Sequence, residues 1–429
     1  MPRVNLRKQL RNQTIYQIFP RNYSEAGNFQ AIYDDLGRIK DLGVDIIYFL
    51  PINPIGEVAR KGSVGSPYAI KDYRLINKDL GTVEDFYNLI NKAHDLGMKV
   101  MIDIVFNHTS RDSTLLKEHP EYFYYRDGKL ANRVGDWSDV GDLDLDNEDV
   151  RKYLIDTLIM YAKLGVDGFR CDVAPLVPLS FWLEAVEAVD KVNNEMIWLS
   201  ESIEPSFIKW LRSEGHLAHS DGEMYEAFDV LYNYDIFSYY HGYFKGENTL
   251  DELITAINAQ EVIYPADYLK MRCLENHDQE RAHAIIRDEL SLINFTAYSF
   301  FAPGLGFLYA GQEVKATHKP NLFEKDPIDL EIKDEKFYNF IKRLIAIKKH
   351  QVFKDKLYFN VEKASEGDVM IALLKSKEET YVGIFNLSEQ EIEITLPFEA
   401  SQLKDLISDQ KYKVKNGKLK IKYPLIAKI

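Results

Sequence analysis

The chain has 429 residues, of which 46% are hydrophobic and 28% charged, an ordinary balance for a globular protein with a sizeable core. Its 53 Lys and Arg against 67 Asp and Glu give a formal net charge of −14. Nucleic-acid binding depends on Lys and Arg at phosphates, so this charge argues against a nucleic-acid partner and suits a neutral small molecule or a sugar.

Membrane and secretory signals are absent from the sequence. No stretch reaches the ~18 apolar residues that span a bilayer, which predicts no membrane partner. The N-terminal "MPRVNLRKQLRNQTIYQIF" lacks the apolar centre of a signal peptide. Cys171 and Cys273 are the two cysteines, so a disulfide framework is excluded and reduced thiols are expected. Together these features predict a cytoplasmic protein.

In chain order, the first recurring pattern is an amphipathic segment that ends in Leu-Gly and is followed by an apolar run. It occurs as "IKDLGVDIIYFLP", "AHDLGMKVMIDIV" and "YAKLGVDGFRCDV", with Gly43, Gly97 and Gly165 at the turns. Each glycine stands where a helix C-terminus requires a left-handed residue. Since each following run is too apolar for a strand with one exposed face, the pattern predicts βα units with buried parallel strands.

We count eight such strands, which begin near Thr14, Val44, Lys99, Val166, Glu195, Met224, Tyr268 and Gly306. Eight units over about 340 residues predict the α/β class and a (β/α)8 TIM barrel. A doubly wound sheet is the alternative. It is disfavoured because polar clusters recur at the ends of many strands and not at one switch point.

Two segments depart from the repeat. Residues 110–147 are aromatic and acidic with little periodicity, which predicts a small inserted domain after strand 3. From about residue 350 the sequence changes to short alternating strands with turns, which predicts a C-terminal antiparallel β-sandwich over 350–429. The barrel would then consist of residues 1–109 and 148–349.

Polar residues collect at the ends of four predicted strands, in "MIDIVFNH", "GFRCDVA", "WLSESIE" and "CLENHDQER". In a barrel, these C-terminal ends meet at one mouth. Side chains alternate along a strand, so Arg170 and Asp172 share one face, and Asp103 on the neighbouring strand can pair with Arg170. The other candidates at this mouth are Glu201, Asp278, His108 and His277.

Opposed carboxylates at one mouth suit retaining glycoside hydrolysis. One carboxylate attacks the anomeric carbon, the other donates a proton to the leaving oxygen, and a third can stabilise the positive charge of the transition state. Arg170 within hydrogen-bond reach would keep Asp172 ionised, as a nucleophile must be. A single acid at a strand end is usually a cap or a loop ligand, so the prediction depends on the whole set.

On these residues the chain resembles the α-amylase family of glycoside hydrolases and transglycosylases. "DIVFNH", "GFRCD", "WLSESIE" and "ENHD" are similar to the four family signatures, in that order. The resemblance implies that Asp172 is the nucleophile, Glu201 the acid/base and Asp278 the stabilising acid. It also implies that the ring of Tyr68 lies under the sugar in subsite −1 and that Asp103 gives structural support. Further substrate contacts are implied for His108, Arg170 and His277.

The chain departs from many calcium-dependent members of this family. They carry Lys-His three and four residues after the nucleophile, where this chain has Pro175 and Leu176. Asn107 and Asp142 still match calcium-ligand positions, but two oxygen donors do not complete a site of about six to eight ligands. Calcium is therefore the one cofactor that the resemblance leaves open, with Asn107 and Asp142 as its candidate ligands.

The leading hypothesis is a cytoplasmic retaining hydrolase that cleaves α-glucosidic bonds, α-1,4 first, in malto-oligosaccharides or α-glucans through a covalent intermediate. The alternative is an α-glucan transglycosylase or an exo-acting α-glucosidase, including an α-1,6 one, because Val173 after the nucleophile resembles oligo-1,6-glucosidases. An inert binding or structural member is expected to lack one of the three carboxylates, and all three are present. Chain-length preference and oligomeric state stay open.

Overall fold

The computed structural model describes residues 7–429. Residues 1–6 lie outside the described part. They begin the N-terminal segment from which the lack of a signal peptide is predicted above. Within residues 7–429, none of the helices combines the length and the apolar surface needed to cross a bilayer.

The strands up to residue 329 fall into a barrel and a set of short pairs. They are β1 (Thr14–Ile18), β2 (Ile46–Phe49), β3 (Lys99–Ile104), β4 (His108–Ser110), β5 (Tyr125–Arg126), β6 (Lys129–Leu130), β7 (Val140–Asp142), β8 (Gly168–Cys171), β9 (Ile197–Ser200), β10 (Val230–Tyr232), β11 (Lys270–Arg272) and β12 (Leu305–Tyr309). The closed barrel has the order β1-β2-β3-β8-β9-β10-β11-β12, in which neighbours follow chain order. This confirms the predicted (β/α)8 barrel.

Helices alternate with the barrel strands, and three of them end at the glycines that the sequence predicts. They are α1 (Phe29–Leu42), α2 (Val83–Asp95), α3 (Thr114–Glu118), α4 (Glu148–Leu164), α5 (Leu179–Asp190), α6 (Pro205–Ser213), α7 (Asp221–Met224), α8 (Phe237–Lys245), α9 (Leu250–Ile263), α10 (Ala282–Ile285), α11 (Glu289–Phe301), α12 (Glu335–Lys348) and α13 (Gln351–Lys354). Gly43 caps α1 and Gly165 caps α4, with left-handed φ of 97° and 108°. Gly97, with a left-handed φ of 70°, directly follows the cap residue of α2.

Seven barrel strands begin within two residues of their predicted starts, and the sixth is wrong. It was expected near Met224 but begins at Val230. Met224 instead ends the short helix α7. Glu223 accepts hydrogen bonds from the backbone N–H of Ser220 at 2.7 Å and from its hydroxyl at 2.6 Å. This capping interaction starts a helical turn where the apolar pattern alone suggested a strand.

The insertion after β3 has its own short antiparallel pairs, β4 with β7 and β5 with β6. The C-terminal part forms an antiparallel four-stranded sheet and two further pairs, from β13 (Tyr358–Lys363), β14 (Val369–Lys375), β15 (Thr380–Asn386), β16 (Ile392–Thr395), β17 (Gln402–Lys404), β18 (Lys411–Lys413), β19 (Lys418–Ile421) and β20 (Leu425–Lys428). Their apolar faces share one buried cluster that includes Ile371, Ile384 and Leu419. This confirms the predicted C-terminal antiparallel β domain.

The chain divides into two compact units whose limits differ from the predicted domains. One comprises Tyr16–Tyr232 and Lys319–Asp329, and the other comprises residues 7–15, Asn233–His318 and Leu330–Ile429. The predicted boundaries at residues 109, 147 and 349 follow changes in sequence pattern, which this division does not test, and they stay a prediction. His277 and Asp278 belong to the second unit, and the other candidate site residues belong to the first.

Candidate active site

Arg170 lies at the centre of a buried charged cluster in the first unit. Strand β8 pairs with β3 so that Arg170 stands opposite Asp103. Its Nη1 lies 2.8 Å from Asp103 Oδ1 and 2.9 Å from Asp172 Oδ1, and the guanidinium has no exposed surface. Both contacts were predicted from strand alternation. Burial opposes the charge on Arg170, but Asp103 and then Glu201 outweigh it and raise the pKa of Arg170 well above its ordinary value.

Glu201 makes a third contact with Arg170, which the sequence did not predict. Its Oε1 lies 2.8 Å from Arg170 Nη2. The pair is ionic and not a directed hydrogen bond, because this Nη2 has no acceptor in hydrogen-bonding geometry. Glu201 Oε2 accepts the backbone N–H of Val173 at 2.7 Å. One guanidinium therefore links three carboxylates.

The three carboxylates differ in their access to solvent. Asp172 and Glu201 each keep 7% of their surface exposed, whereas Asp103 keeps 2%. Asp103 Oδ2 also accepts hydrogen bonds from the hydroxyls of Tyr48 at 2.6 Å and Tyr68 at 3.0 Å. Asp103 is thus enclosed by donors, as its predicted supporting role requires, whereas Asp172 and Glu201 each keep a small exposed surface.

Two tyrosines of this cluster were missed by the sequence analysis. Tyr48 lies within the apolar strand β2, and burial raises its pKa well above the ordinary value, so that it stays a hydroxyl donor to Asp103. Tyr232, at the end of β10, accepts a hydrogen bond from Arg170 Nε at 3.2 Å. A tyrosine in an apolar strand run is the only signal that could have indicated either residue.

Val173, directly after Asp172, has a left-handed backbone with φ of 35° and ψ of 41°. A β-branched residue is rarely found there, and such a conformation persists only where its surroundings impose it. The same residue donates its N–H to Glu201. The turn that follows the predicted nucleophile therefore directs a backbone donor at the predicted acid/base.

His108, a predicted substrate contact, is buried behind the cluster. Its ring centroid lies 5.2 Å from that of Trp137, and it hydrogen-bonds to the Tyr68 backbone. Desolvation by burial lowers the pKa of His108 to about 4, so the ring is neutral at neutral pH. Its role at the substrate stays a prediction, while its contact with the Tyr68 backbone supports the tyrosine predicted to lie under the sugar.

His277 and Asp278 lie in the second unit, in a loop that follows β11. His277 Nε2 lies 3.1 Å from Asp278 Oδ2. Glu275, at the start of the loop, is 2.6 Å from Arg281 at its end. Asn276 Oδ1 accepts the N–H of Asp278 at 2.9 Å. The buried ion pair fixes the two ends of the loop, and its signal in "ENHDQER" was the Glu that begins the predicted motif and the Arg three residues after its end.

The calcium-ligand candidates lie together but face another cation. Asn107 Nδ2 is 3.4 Å from Asp142 Oδ1. Asp142 Oδ2 accepts the backbone N–H of Arg133 at 2.8 Å and its Nη1 at 3.2 Å. Burial raises the pKa of Asp142 to about 6, against the opposing hydrogen bonds and charge of Arg133. Calcium requires about six to eight oxygen ligands, and this set, with a guanidinium inside it, does not fit the ion.

Acidic, His and Cys side chains are the groups that could form a metal site among the described residues. Across the described range 7–429, no group of three or more of them is arranged to hold a metal ion. The first-unit cluster consists of one buried guanidinium in contact with Asp103, Asp172 and Glu201, of which the last two keep a small exposed surface. The position of Asp278 relative to Asp172 and Glu201, and the catalytic roles of all three, stay predictions.

Comparison with known proteins identifies the family. A model of the α-amylase catalytic domain matches residues 17–365, and a model of the bacterial α-amylase C-terminal domain matches residues 360–426. An α-amylase structure from Lactobacillus plantarum is 43% identical, covers 99% of this chain and 100% of that chain, and has a TM-score of 0.95. A maltogenic α-amylase structure from Thermotoga neapolitana is 31% identical over 97% of this chain and 98% of that chain, with a TM-score of 0.87.

Among curated proteins, α-amylase MalA from Haloarcula japonica is 28% identical over 352 residues. The match covers 79% of this chain and 49% of that relative, so the chain spans about half the length of this curated protein. The catalytic-domain match covers well over half of the present chain and ends close to where the C-terminal match begins. The chain belongs to the α-amylase family of glycoside hydrolases.

Proposed function

We propose that this protein is a cytoplasmic retaining glycoside hydrolase that cleaves α-1,4-glucosidic bonds in malto-oligosaccharides or α-glucans. The observation that carries the proposal is the single guanidinium of Arg170 in contact with Asp172 and Glu201, both of which are reachable from solvent. The two relatives solved along their whole length, named as α-amylases, support the substrate class.

In the first step, a carboxylate oxygen of Asp172 attacks the anomeric carbon. A C–O ester bond forms as the glucosidic C–O bond breaks, and the leaving oxygen takes the proton of Glu201. Arg170 stabilises Asp172 as the carboxylate that attack requires. Asp278 has the role that the family resemblance implies, the stabilisation of positive charge at the anomeric carbon.

In the second step, water attacks the same carbon from the side that the leaving group vacated. Glu201, now ionised, takes the proton of that water, and the ester to Asp172 breaks. Each step inverts the anomeric carbon, so the product keeps the α configuration. If a sugar hydroxyl reaches the ester in place of water, the same residues give transglycosylation, which is the alternative within the family.

The charge of Arg170 acts on Glu201 to a different extent in the two steps. In the free enzyme its charge is shared among three carboxylates. Formation of the ester neutralises Asp172, so more of the positive charge of Arg170 acts on Glu201 and stabilises its ionised form. Glu201 must be a proton donor before the ester forms and a base afterwards. The ion pair therefore promotes the change of role at the point where the mechanism needs it.

Bond preference is a second question, on which Val173 bears. A Val directly after the nucleophile resembles the sequence of oligo-1,6-glucosidases, which supports the α-1,6 alternative. The N–H of Val173 also donates a hydrogen bond to Glu201, the group that protonates the leaving oxygen. We retain α-1,4 hydrolysis as the first proposal. An exo-acting or α-1,6-cleaving enzyme is the second.

Product chromatography on maltotriose, panose, isomaltose and soluble starch tests the proposal, with Asp172→Asn as the inactive control. We expect cleavage of maltotriose and starch, α-1,4 cleavage of panose, and slow turnover of isomaltose. Faster cleavage of isomaltose than of maltotriose would favour the α-1,6 alternative, and products longer than the substrate would favour transfer. Wild-type turnover of none of the four, or equal turnover by the control, would contradict the proposal.

A further inference from the structure

Asp142 is a buried acid that needs a cation for its stability. It lies at the end of β7, is 1% exposed, and stands opposite His108 in the pairing of β7 with β4. A buried carboxylate without a counter-charge is costly, so a cation close to it stabilises its ionised form. Many relatives with this acid use calcium there, as the family resemblance implies. This chain has a different cation within reach.

The guanidinium of Arg133 is surrounded by the kinds of groups that hold a cation. Its Nη1 lies 3.2 Å from Asp142 Oδ2 and 3.3 Å from the carbonyl oxygen of Leu143. Its Cζ is 4.5 Å from the centroid of the Tyr124 ring, a cation–π distance. The side chain is 29% exposed, so it reaches the acid from the solvent side.

The neighbouring groups present N–H donors as well. The backbone N–H of Arg133 donates to the same Asp142 oxygen at 2.8 Å. The side-chain amide nitrogen of Asn107 lies towards the other oxygen, at 3.4 Å, and the backbone carbonyl of Asn107 accepts the N–H of Leu143 at 3.0 Å. Both oxygens of Asp142 thus face N–H groups. A calcium ion among them would meet donors and a like charge in place of oxygen ligands.

We propose that Arg133 replaces calcium in this chain, so that the structure of the insertion after β3 needs no metal ion at Asp142. The Arg133–Asp142 contact connects the segment around Arg133 to β7. The contact of Asp142 with Asn107 connects β7 to the residues that follow β3. The segment around Arg133 carries Trp137, whose ring packs on His108. The ion pair therefore stabilises the part of the insertion that packs on His108.

The first test uses the wild-type protein. Thermal unfolding is followed after dialysis against EDTA and again in millimolar calcium, and bound calcium is measured by elemental analysis. We expect the same melting temperature in both buffers and much less than one calcium per chain. One tightly bound calcium per chain, with a melting temperature that falls in EDTA, would overturn the proposal whatever the variants do.

The second test asks whether removal of the guanidinium creates a need for metal. Arg133→Ala should melt several degrees below wild type in EDTA and recover part of that loss in calcium, because the like charge beside Asp142 and the Leu143 carbonyl is gone. Arg133→Lys keeps a cation and should lose less and respond less to calcium. Equal melting of Arg133→Ala and wild type in EDTA would contradict the proposal.

Two controls separate this effect from general weakening of the insertion. Arg111→Ala removes another guanidinium of the insertion, one that donates a hydrogen bond to the Leu130 carbonyl at 3.1 Å. This variant should show no calcium response. Arg133→Ala combined with Asp142→Asn lacks the acid that a metal would need and should show none either. A calcium response of the same size in either control would refute the assignment to Asp142.

Discussion

Replacement of Arg170 by Ala tests the central feature of the site. It leaves three carboxylates with no cation between them. The side chain of Asp103 is fully buried and those of Asp172 and Glu201 are each 9% exposed, so water screens the last two only slightly. Loss of one partner of a buried ion pair costs about 3–5 kcal/mol, and we expect a loss of this size in the free energy of unfolding.

The assay is equilibrium unfolding in urea, with Arg151→Ala as a matched control. Arg151 lies 2.9 Å from Glu184, a carboxylate that is 54% exposed, so its removal should cost only about 0–1 kcal/mol. The same N–O distance then gives different costs because of burial. We also expect the loss in Arg170→Ala to shrink as the pH is lowered, because protonation removes the charges that the variant leaves unpaired.

Arg170→Lys separates charge from positioning. A lysine keeps the positive charge but has one nitrogen, so it cannot contact the three carboxylates through two separate nitrogens as the guanidinium does. Most of the stability should remain, while kcat/KM on maltotriose should fall by at least about 100-fold, because misplacement of reacting groups has effects of that order. An Arg170→Ala protein with wild-type stability and activity would refute the pairing itself.

Three further predictions address single residues of the site. Asp172→Asn should lose several orders of magnitude in rate on any substrate, whereas Glu201→Gln should recover much of its loss on an α-glucosyl fluoride, whose leaving group needs no proton; equal responses would show that the roles are wrongly assigned. In urea denaturation, Val173→Gly should have a free energy of unfolding about 1 kcal/mol higher than Val173→Ala, because glycine tolerates the left-handed backbone. A less stable Gly variant, the usual order of these two residues, would contradict the strain at Val173. The folded-state pKa of His108 is about 4, below the ordinary 6.5, so the free energy of unfolding of the wild type should fall as the pH drops from 6.5 to 4. In His108→Gln this fall should be smaller, by up to about 3 kcal/mol at pH 4.

The barrel could be predicted from the sequence because its signals are local. Each strand is a short apolar run, and Gly43 and Gly165 mark helix ends by a backbone conformation that glycine favours. The Asp103–Arg170 contact followed from alternation along two paired strands. The start of the sixth strand was misplaced because the hydrogen bonds between Ser220 and Glu223 add a helical turn that apolar periodicity does not show.

The contacts that were missed lie where regular geometry ends. Glu201 is one residue beyond the end of β9, so alternation no longer fixes its direction and the contact with Arg170 could not be counted from the strand. Arg133 lies in the irregular part of the insertion, between β6 and β7, and reaches Asp142 across nine positions of chain. Neither residue is part of a periodic pattern that predicts its partner.

The two arginines act on the same region of the barrel from different sides. Asp103 lies within β3, and Asn107 follows its end by three residues. Arg170 neutralises Asp103 and links it to the two acids that keep a small exposed surface, while Arg133 neutralises Asp142, which contacts Asn107. Buried ion pairs add little net stability relative to a well-packed apolar core, but they fix the direction of each side chain. For Asp172 after β8 and Glu201 after β9, that direction is what the proposed chemistry requires, because attack and proton transfer both depend on where these two acids are held.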